Sequence, residues 1–338
     1  MNTLRQFWIG TKAQDNSSGI WRFQRESGSS WSEVTAKLMA VAPMPTFLAV
    51  HPHAERLYAV GEGKRGGVAS YDVGTDCTLH RTGTVASGGQ GPCHLLVHPQ
   101  GHWVYVANYG DGTLGAIELT EAGNVDEHVR TYTHSGSGPV ADRQERSHAH
   151  FCALSPGGDW LIVTDLGTDE LRAYPLDDGL PEDEPVLTQL PAGFGPRHLA
   201  MAGEHVYVAG ELSGEVATLA WDEGTGQGEV LHQEPASVAE GLHQLSHIER
   251  AGDRLFVGVR GADTLATLGD RRGRCQHYAA RRGRHRRLAA PPQRRRRRCA
   301  GGRRERRRRC RAPDRRRAGT RGDTEEIAVP GPMCVLPM

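Results

Sequence analysis

An all-β fold is what this sequence predicts, on three observations. Short runs of β-branched and aromatic residues alternate with Gly-, Pro- and Asp-rich turns across residues 1–270. No segment sustains the 3.6-residue period of an amphipathic helix. One strand–turn–strand unit also recurs along the chain.

The units appear in order. Phe47-Leu48-Ala49-Val50-His51-Pro52 leads to Leu57-Tyr58-Ala59-Val60, and His94-Leu95-Leu96-Val97 leads to Val104-Tyr105-Val106-Ala107. His150-Phe151-Cys152-Ala153-Leu154 leads to Leu161-Ile162-Val163-Thr164, and His198-Leu199-Ala200-Met201 to Val206-Tyr207-Val208-Ala209. His247-Ile248 leads to Leu255-Phe256-Val257. The anchors His94, His150, His198 and His247 are 56, 48 and 49 residues apart. Further turn signals and a strand such as Leu171-Arg172-Ala173-Tyr174 complete a unit. Four strands in about 40–50 residues make one blade of a β-propeller, whereas a β-solenoid would repeat at about 20–30. At that period the 338 residues have room for about seven units. The expected fold is a seven-bladed β-propeller with one blade disrupted.

The disruption is chemical. Residues 271–322 hold 24 of the 41 Lys+Arg, all of them Arg, with Glu305 and Asp314 as the acids. The stretch contains no Val, Ile, Phe, Trp or Met, and a sheet needs such residues to bury a face. The net charge of +1 therefore averages an acidic body, −18 over residues 1–270 from 17 bases and 35 acids, and this basic stretch. Blocks of like charge are often nucleic-acid-binding arms, but such arms normally mix Lys with Arg. Arg, Ala, Gly, Pro and Cys are what GC-rich DNA encodes out of frame. The expectation is a frame-shifted, disordered segment over 271–322, with propeller blades over 1–270 and a strand-like C-terminal piece over 323–338.

Composition excludes several classes. No run of about 18 apolar residues is present, so no membrane span is expected. The start Met1-Asn2-Thr3-Leu4-Arg5-Gln6 lacks the basic and apolar regions of a secretory signal. Seven Cys with no zinc-like pair spacing suit reduced thiols, and a cytoplasmic location is the expectation. Gly110-Asp111-Gly112 reads as a turn, not a phosphate loop, since no helix follows it.

The order of several motifs resembles a known family, the bacterial 6-phosphogluconolactonase type of seven-bladed β-propeller lactonase, related to fungal carboxymuconate cyclases. The matching pieces are Ile9-Gly10-Thr11 and Gly19-Ile20, Pro45 to Pro52, Arg146-Ser147-His148-Ala149-His150, Asp165-Leu166-Gly167-Thr168-Asp169, Gly195-Pro196-Arg197-His198, Glu211-Leu212 and Val259-Arg260-Gly261. Val259 stands where Asn is usual, and Val329 to Val335 looks like the family's closing strand. The resemblance fails across 271–322.

The resemblance implies a cleft on the propeller axis and carries over His150, Arg197, Glu211 and Arg260 as catalytic residues. His148, Arg197 and Arg260 are implied as substrate-binding. The chemistry fits opening of a lactone. A His or Glu can take a proton from the attacking water, and Arg can hold an oxyanion or grip an anionic group. His150 is assigned as base, helped by Glu211. Structural readings stay open: the recurring His residues suit inter-blade ties, and Arg197 or Glu211 suit ion pairs. His148 and His150 lie on one strand face, but no third ligand has clear spacing, so no metal and no cofactor are expected. The implied activity is hydrolysis of an anionic small-molecule lactone, 6-phosphogluconolactone, in the pentose phosphate pathway, with no nucleic-acid or membrane partner. The rivals are a non-catalytic binding platform and a carboxymuconate-type cycloisomerase.

Overall fold

The computed structural model describes residues 4–13, 17–26, 35–237, 241, 243–271, 274–282 and 332–338. These form six antiparallel sheets. The first sheet takes β1 (Leu4–Thr11), β2 (Gly19–Glu26) and β3 (Thr35–Val41) in order, with β25 (Pro332–Pro337) added beside β1. The second runs β4 (Pro45–Val50), β5 (Arg56–Gly61), β6 (Gly67–Val73), β7 (Leu79–Ala86). The third runs β8 (Pro92–Val97), β9 (Trp103–Asn108), β10 (Thr113–Leu119), β11 (Val125–Thr133). The fourth holds β12 (Ala149–Leu154), β13 (Trp160–Asp165) and β14 (Glu170–Asp177), which pairs both β15 (Leu180–Pro181) and β16 (Val186–Gln189). The fifth runs β17 (Pro196–Ala202), β18 (His205–Gly210), β19 (Glu215–Asp222), β20 (Gln227–Pro235). The sixth runs β21 (Gln244–Ala251), β22 (Arg254–Arg260), β23 (Thr264–Arg271), β24 (Arg274–Arg282).

The architecture is an all-β propeller, and its blade count corrects the sequence expectation. Six sheets are described, not seven. Dividing chain length by the repeat period assumes that every residue belongs to a repeat. Residues 283–322 lie outside the described sheets, and their composition lacks the side chains that bury a sheet face. β23 runs to Arg271, and β24 lies inside the Arg-rich stretch, with Thr267 opposite Tyr278 and Leu268 opposite His277. Outer strands tolerate such composition, since β7, β11 and β20 are themselves largely exposed and polar. The rest of the proposed frame-shifted, disordered segment, 283–322, lies outside the described residues.

Packing between sheets sets the ring. Middle strands such as β5, β9 and β18 are buried on both faces, so they read as continuous apolar runs. Five core clusters fill the five spaces between consecutive sheets. Trp8, Ile20, Leu48 and Leu57 join the first and second, and Ile162, Leu171, Val206 and Val208 join the fourth and fifth. Equivalent side chains then tie the second, third and fourth sheets each to a turn of the next. Arg56 Nε donates to Ala122 O at 3.0 Å, Trp103 Nε1 to Asp178 O at 3.2 Å and Trp160 Nε1 to Glu223 O at 2.8 Å. Two residues on from Arg56 and Trp103, Tyr58 and Tyr105 donate to Gly123 O and Gly179 O. β25 pairs with β1 through Trp8–Leu336 and Ile9–Val335, so chain start and end share one sheet.

Candidate active site

The cleft is built from one irregularity repeated around the ring. β4 slips register between Pro45 (opposite Gly61) and Phe47 (opposite Val60), and β8 between Pro92 and His94. β12 slips between Ala149 and Phe151, and β17 between Pro196 and His198. The extra residues are Thr46, Cys93, His150 and Arg197. In β21 the slip between Leu245 and Ile248 takes in Ser246 and His247. A bulge re-aims its side chain out of the regular pleat. Thr46, Cys93, His150, Arg197 and Ser246 all line one cleft of about 730 Å³.

A second set comes from the chain just past the adjacent strand. Lys12 follows β1, Glu62 follows β5, Tyr109 follows β9, Glu211 follows β18, and Arg260 ends β22. All five line the same cleft, as do residues of β21 and β25. The bulged residue and the strand-end residue are thus the recurring site-forming positions, although in the fourth sheet the residue after β13, Leu166, does not line the cleft.

Glu211 is the charged centre, 3% exposed. Arg143 Nη2 donates to its Oε1 at 2.6 Å. Arg260 Nη2 lies 2.6 Å from Oε2 and Arg197 Nε 2.9 Å from the same oxygen. The Arg197 Nε–H is close but not aimed for a hydrogen bond, and that buried donor has no partner among the described residues. Burial works to raise the Glu211 carboxyl, but the Arg143 hydrogen bond and the Arg260 and Arg197 charges outweigh it and hold the group below its ordinary range. The Arg260 side chain is 45% exposed against 15% for Arg197, so Arg260 is the guanidinium most open to a ligand.

His150 sits beside this cluster, 7% exposed, with Nδ1 3.8 Å from Cys93 Sγ. Burial first, then the Arg197 charge, hold its pKa well below the usual histidine value, so the ring is neutral. Burial pushes the Cys93 thiol up to about 12, which makes it a poor nucleophile. The residue after each of the first four bulges carries a ring, Phe47, His94, Phe151 and His198, and His247 within the β21 slip continues the row. Their centroids follow one another at 4.2, 4.0, 4.5 and 5.1 Å, and the Nδ1 atoms of His198 and His247 are 2.8 Å apart.

The structure brings His150, Arg197, Glu211 and Arg260 together. It also separates His150 from the other recurring histidines, which occupy the next position of their repeats; Phe151 is the true counterpart of His94 and His198. His148 does not line the cleft. Its Nδ1 donates to Tyr109 O at 2.7 Å, Nε2 lies 3.3 Å from Glu145 Oε2, and its ring stacks on Tyr109 at 4.4 Å. Sequence reasoning missed Arg143, Tyr109, Cys93 and the Lys12–Glu62 ion pair, 2.5 Å. Tyr109 and Glu62 were findable, because they hold the strand-end position that Glu211 and Arg260 hold. Arg143 was not, since its turn lies between repeats. Among the described residues no group of three His, Cys, Asp or Glu side chains could hold a metal, and no helix is long and apolar enough to cross a membrane.

Known proteins share this frame. Residues 6–274 match the family described as "Lactonase, 7-bladed beta-propeller". A 6-phosphogluconolactonase of Bacillus subtilis is 30% identical over 270 residues, covering 77% of this chain and 76% of that one. A protein crystal structure from Lactobacillus plantarum superposes with TM-score 0.76 at 29% identity, covering 83% of each chain. The periplasmic gluconolactonase of Pseudomonas aeruginosa gives TM-score 0.72 at 25% identity, again over 83% of each. With the match running through every bulged strand and through Glu211 and Arg260, this chain belongs to the lactonase β-propeller family.

Proposed function

We propose that the protein hydrolyses the lactone of a sugar acid, with 6-phosphogluconolactone as substrate and 6-phosphogluconate as product. The observation that carries this reading is a buried carboxylate holding three guanidinium groups beside a neutral imidazole. Three Arg on one Glu leave a net positive site in an acidic body, suited to an anionic ligand. Similarity to the B. subtilis enzyme supports the phosphorylated substrate.

In this mechanism Arg260, the most open of the three, grips the anionic group. His150 accepts a proton from water as the water oxygen bonds to the lactone carbonyl carbon. The carbonyl π pair moves onto its oxygen, and the charge of the Arg197 guanidinium, which lines the cleft, stabilises it there. The pair then returns, the ring C–O bond breaks, and His150 passes its proton to the leaving alkoxide. A depressed pKa makes His150 a weaker base but, once protonated, a stronger acid for this last step. Glu211 is assigned as the anchor that spaces the guanidinium groups, since both its oxygens are occupied by them.

The test is loss of lactone measured against the spontaneous rate, with 6-phosphogluconolactone and unphosphorylated gluconolactone run side by side. The expected result is acceleration of the phosphorylated substrate, reduced at least about tenfold in kcat/KM by Arg260→Gln. A preference for the unphosphorylated lactone would point instead to the substrate named for the P. aeruginosa relative. No acceleration of either would leave a non-catalytic binding platform.

A further inference from the structure

We propose that the Tyr109 hydroxyl is a second oxyanion donor in this cleft, donating its proton's hydrogen bond to the lactone carbonyl oxygen as that oxygen becomes negative. The inference rests on the hydrolytic reading above. It begins with an accounting of one O–H group. A phenol has one donor and accepts through its oxygen. Arg143 Nη2 donates to Tyr109 Oη at 3.2 Å and, through its other hydrogen, to Glu211 Oε1 at 2.6 Å. Among the described residues the Tyr109 hydroxyl donates to nothing, and Tyr109 lines the cleft. Its one proton is therefore left for a ligand oxygen. The guanidinium behind it also strengthens the phenol as a donor, since withdrawing charge from an O–H makes its hydrogen bond stronger.

The ring is fixed on every other side. Tyr109 N donates to Gly91 O at 3.0 Å, and Tyr109 O accepts from His148 Nδ1 at 2.7 Å. The His148 ring stacks on the phenol with 17° between planes, and His150 meets it edge-on with centroids 5.5 Å apart. A donor held in place before the reaction costs no reorganisation when charge develops, which is why such groups act on the transition state more than on bound substrate. His148 then acts by positioning Tyr109. The proton balance is unchanged: water's proton passes to His150 and on to the alkoxide, while the Tyr109 proton stays on its oxygen throughout.

Tyr109→Phe removes the hydroxyl and keeps the ring between His148 and His150. On 6-phosphogluconolactone the expected result is a fall in kcat of about 10²–10³-fold with KM within a few-fold, the signature of a lost oxyanion donor. Binding of 6-phosphogluconate, followed by calorimetry, is expected to be unchanged. If the hydroxyl only props Arg143, the variant instead raises KM and weakens product binding while kcat holds, and the proposal falls. Wild-type kcat in Tyr109→Phe overturns it as well. Wild-type protein no faster than the spontaneous reaction removes the hydrolytic reading and this role together. Far-UV circular dichroism confirms the fold of the variant, and Tyr109→Leu, which also removes the stacked ring, separates loss of packing from loss of the hydroxyl.

Discussion

At the scale of single residues the site is defined by how charge and burial oppose each other. Glu211 and His150 are neighbours in a buried place, yet burial decides only one of them. Three cations overrule it at the carboxylate, whereas at His150 burial and Arg197 push the same way. This gives a pH prediction with a definite sign. An ordinary histidine titrates near 6.5. A base with a depressed pKa stays in its neutral, proton-accepting form to lower pH, so kcat/KM should remain flat through pH 6.5 and lose activity only below it. The Glu211 carboxylate, held below its own ordinary range, stays ionised over the same interval and adds no limb there. The check is kcat/KM from pH 8 down to 5, corrected for the spontaneous reaction at each point. An acid limb centred at or above 6.5 would remove His150 from the role of base.

At the scale of elements, the bulges explain why the site was half legible. The strands announced themselves through Val, Ile, Tyr and turn residues, and the histidine spacing showed the repeat. Aligning on histidine, however, placed His150 one residue out of step, because a bulge adds a residue that composition cannot show. Register is a property of pairing, and pairing is not written in one strand. The loops that bring Arg143 and Arg197 to Glu211 were equally silent, yet one side chain ties both. Asp169, at φ 57°, accepts from Gln144 Nε2 at 2.7 Å, Gly193 N at 2.6 Å and Gly195 N at 2.7 Å. Gln144 follows Arg143, and Gly195 stands two residues before Arg197. Gly195 itself has φ 61°, and a Cβ there would meet Leu212 Cγ at 2.4 Å, so the turn needs glycine. Asp169→Asn keeps the left-handed backbone, which Asn tolerates, but turns one acceptor oxygen into a donor. The expected outcome is a stability loss of about 1–3 kcal/mol and a fall in kcat/KM of about tenfold or more. Denaturant midpoints and initial rates check it, and stability lost with kcat/KM intact would make Asp169 a structural tie only.

At the scale of the whole molecule, the all-β propeller was legible because its repeat is short and regular, while the number of sheets was not. Counting blades from length charged the Arg-rich stretch to the fold. The described sheets show what that stretch has next to it. Leu265 in the sixth sheet is 50% exposed, and Met333 and Val335 in the first are 48% and 59% exposed, whereas each of the five spaces between consecutive sheets is filled by a buried cluster. Apolar side chains left open on the two sheets that flank residues 283–331 in the chain call for apolar partners, yet 19 of the 49 residues there are Arg. We propose an out-of-frame reading as the reason. It turns strand codons of GC-rich DNA into Arg, Gly, Pro and Cys, and it ends where Ile327-Ala328-Val329 resumes ordinary chemistry. Re-reading the gene between the codons for Gly269 and Thr324 is therefore expected to show two compensating single-base changes, with β-branched and aromatic residues returning at strand density in the restored frame. An unbroken frame that keeps all 24 Arg would defeat this account and leave a chain that carries its basic segment by design.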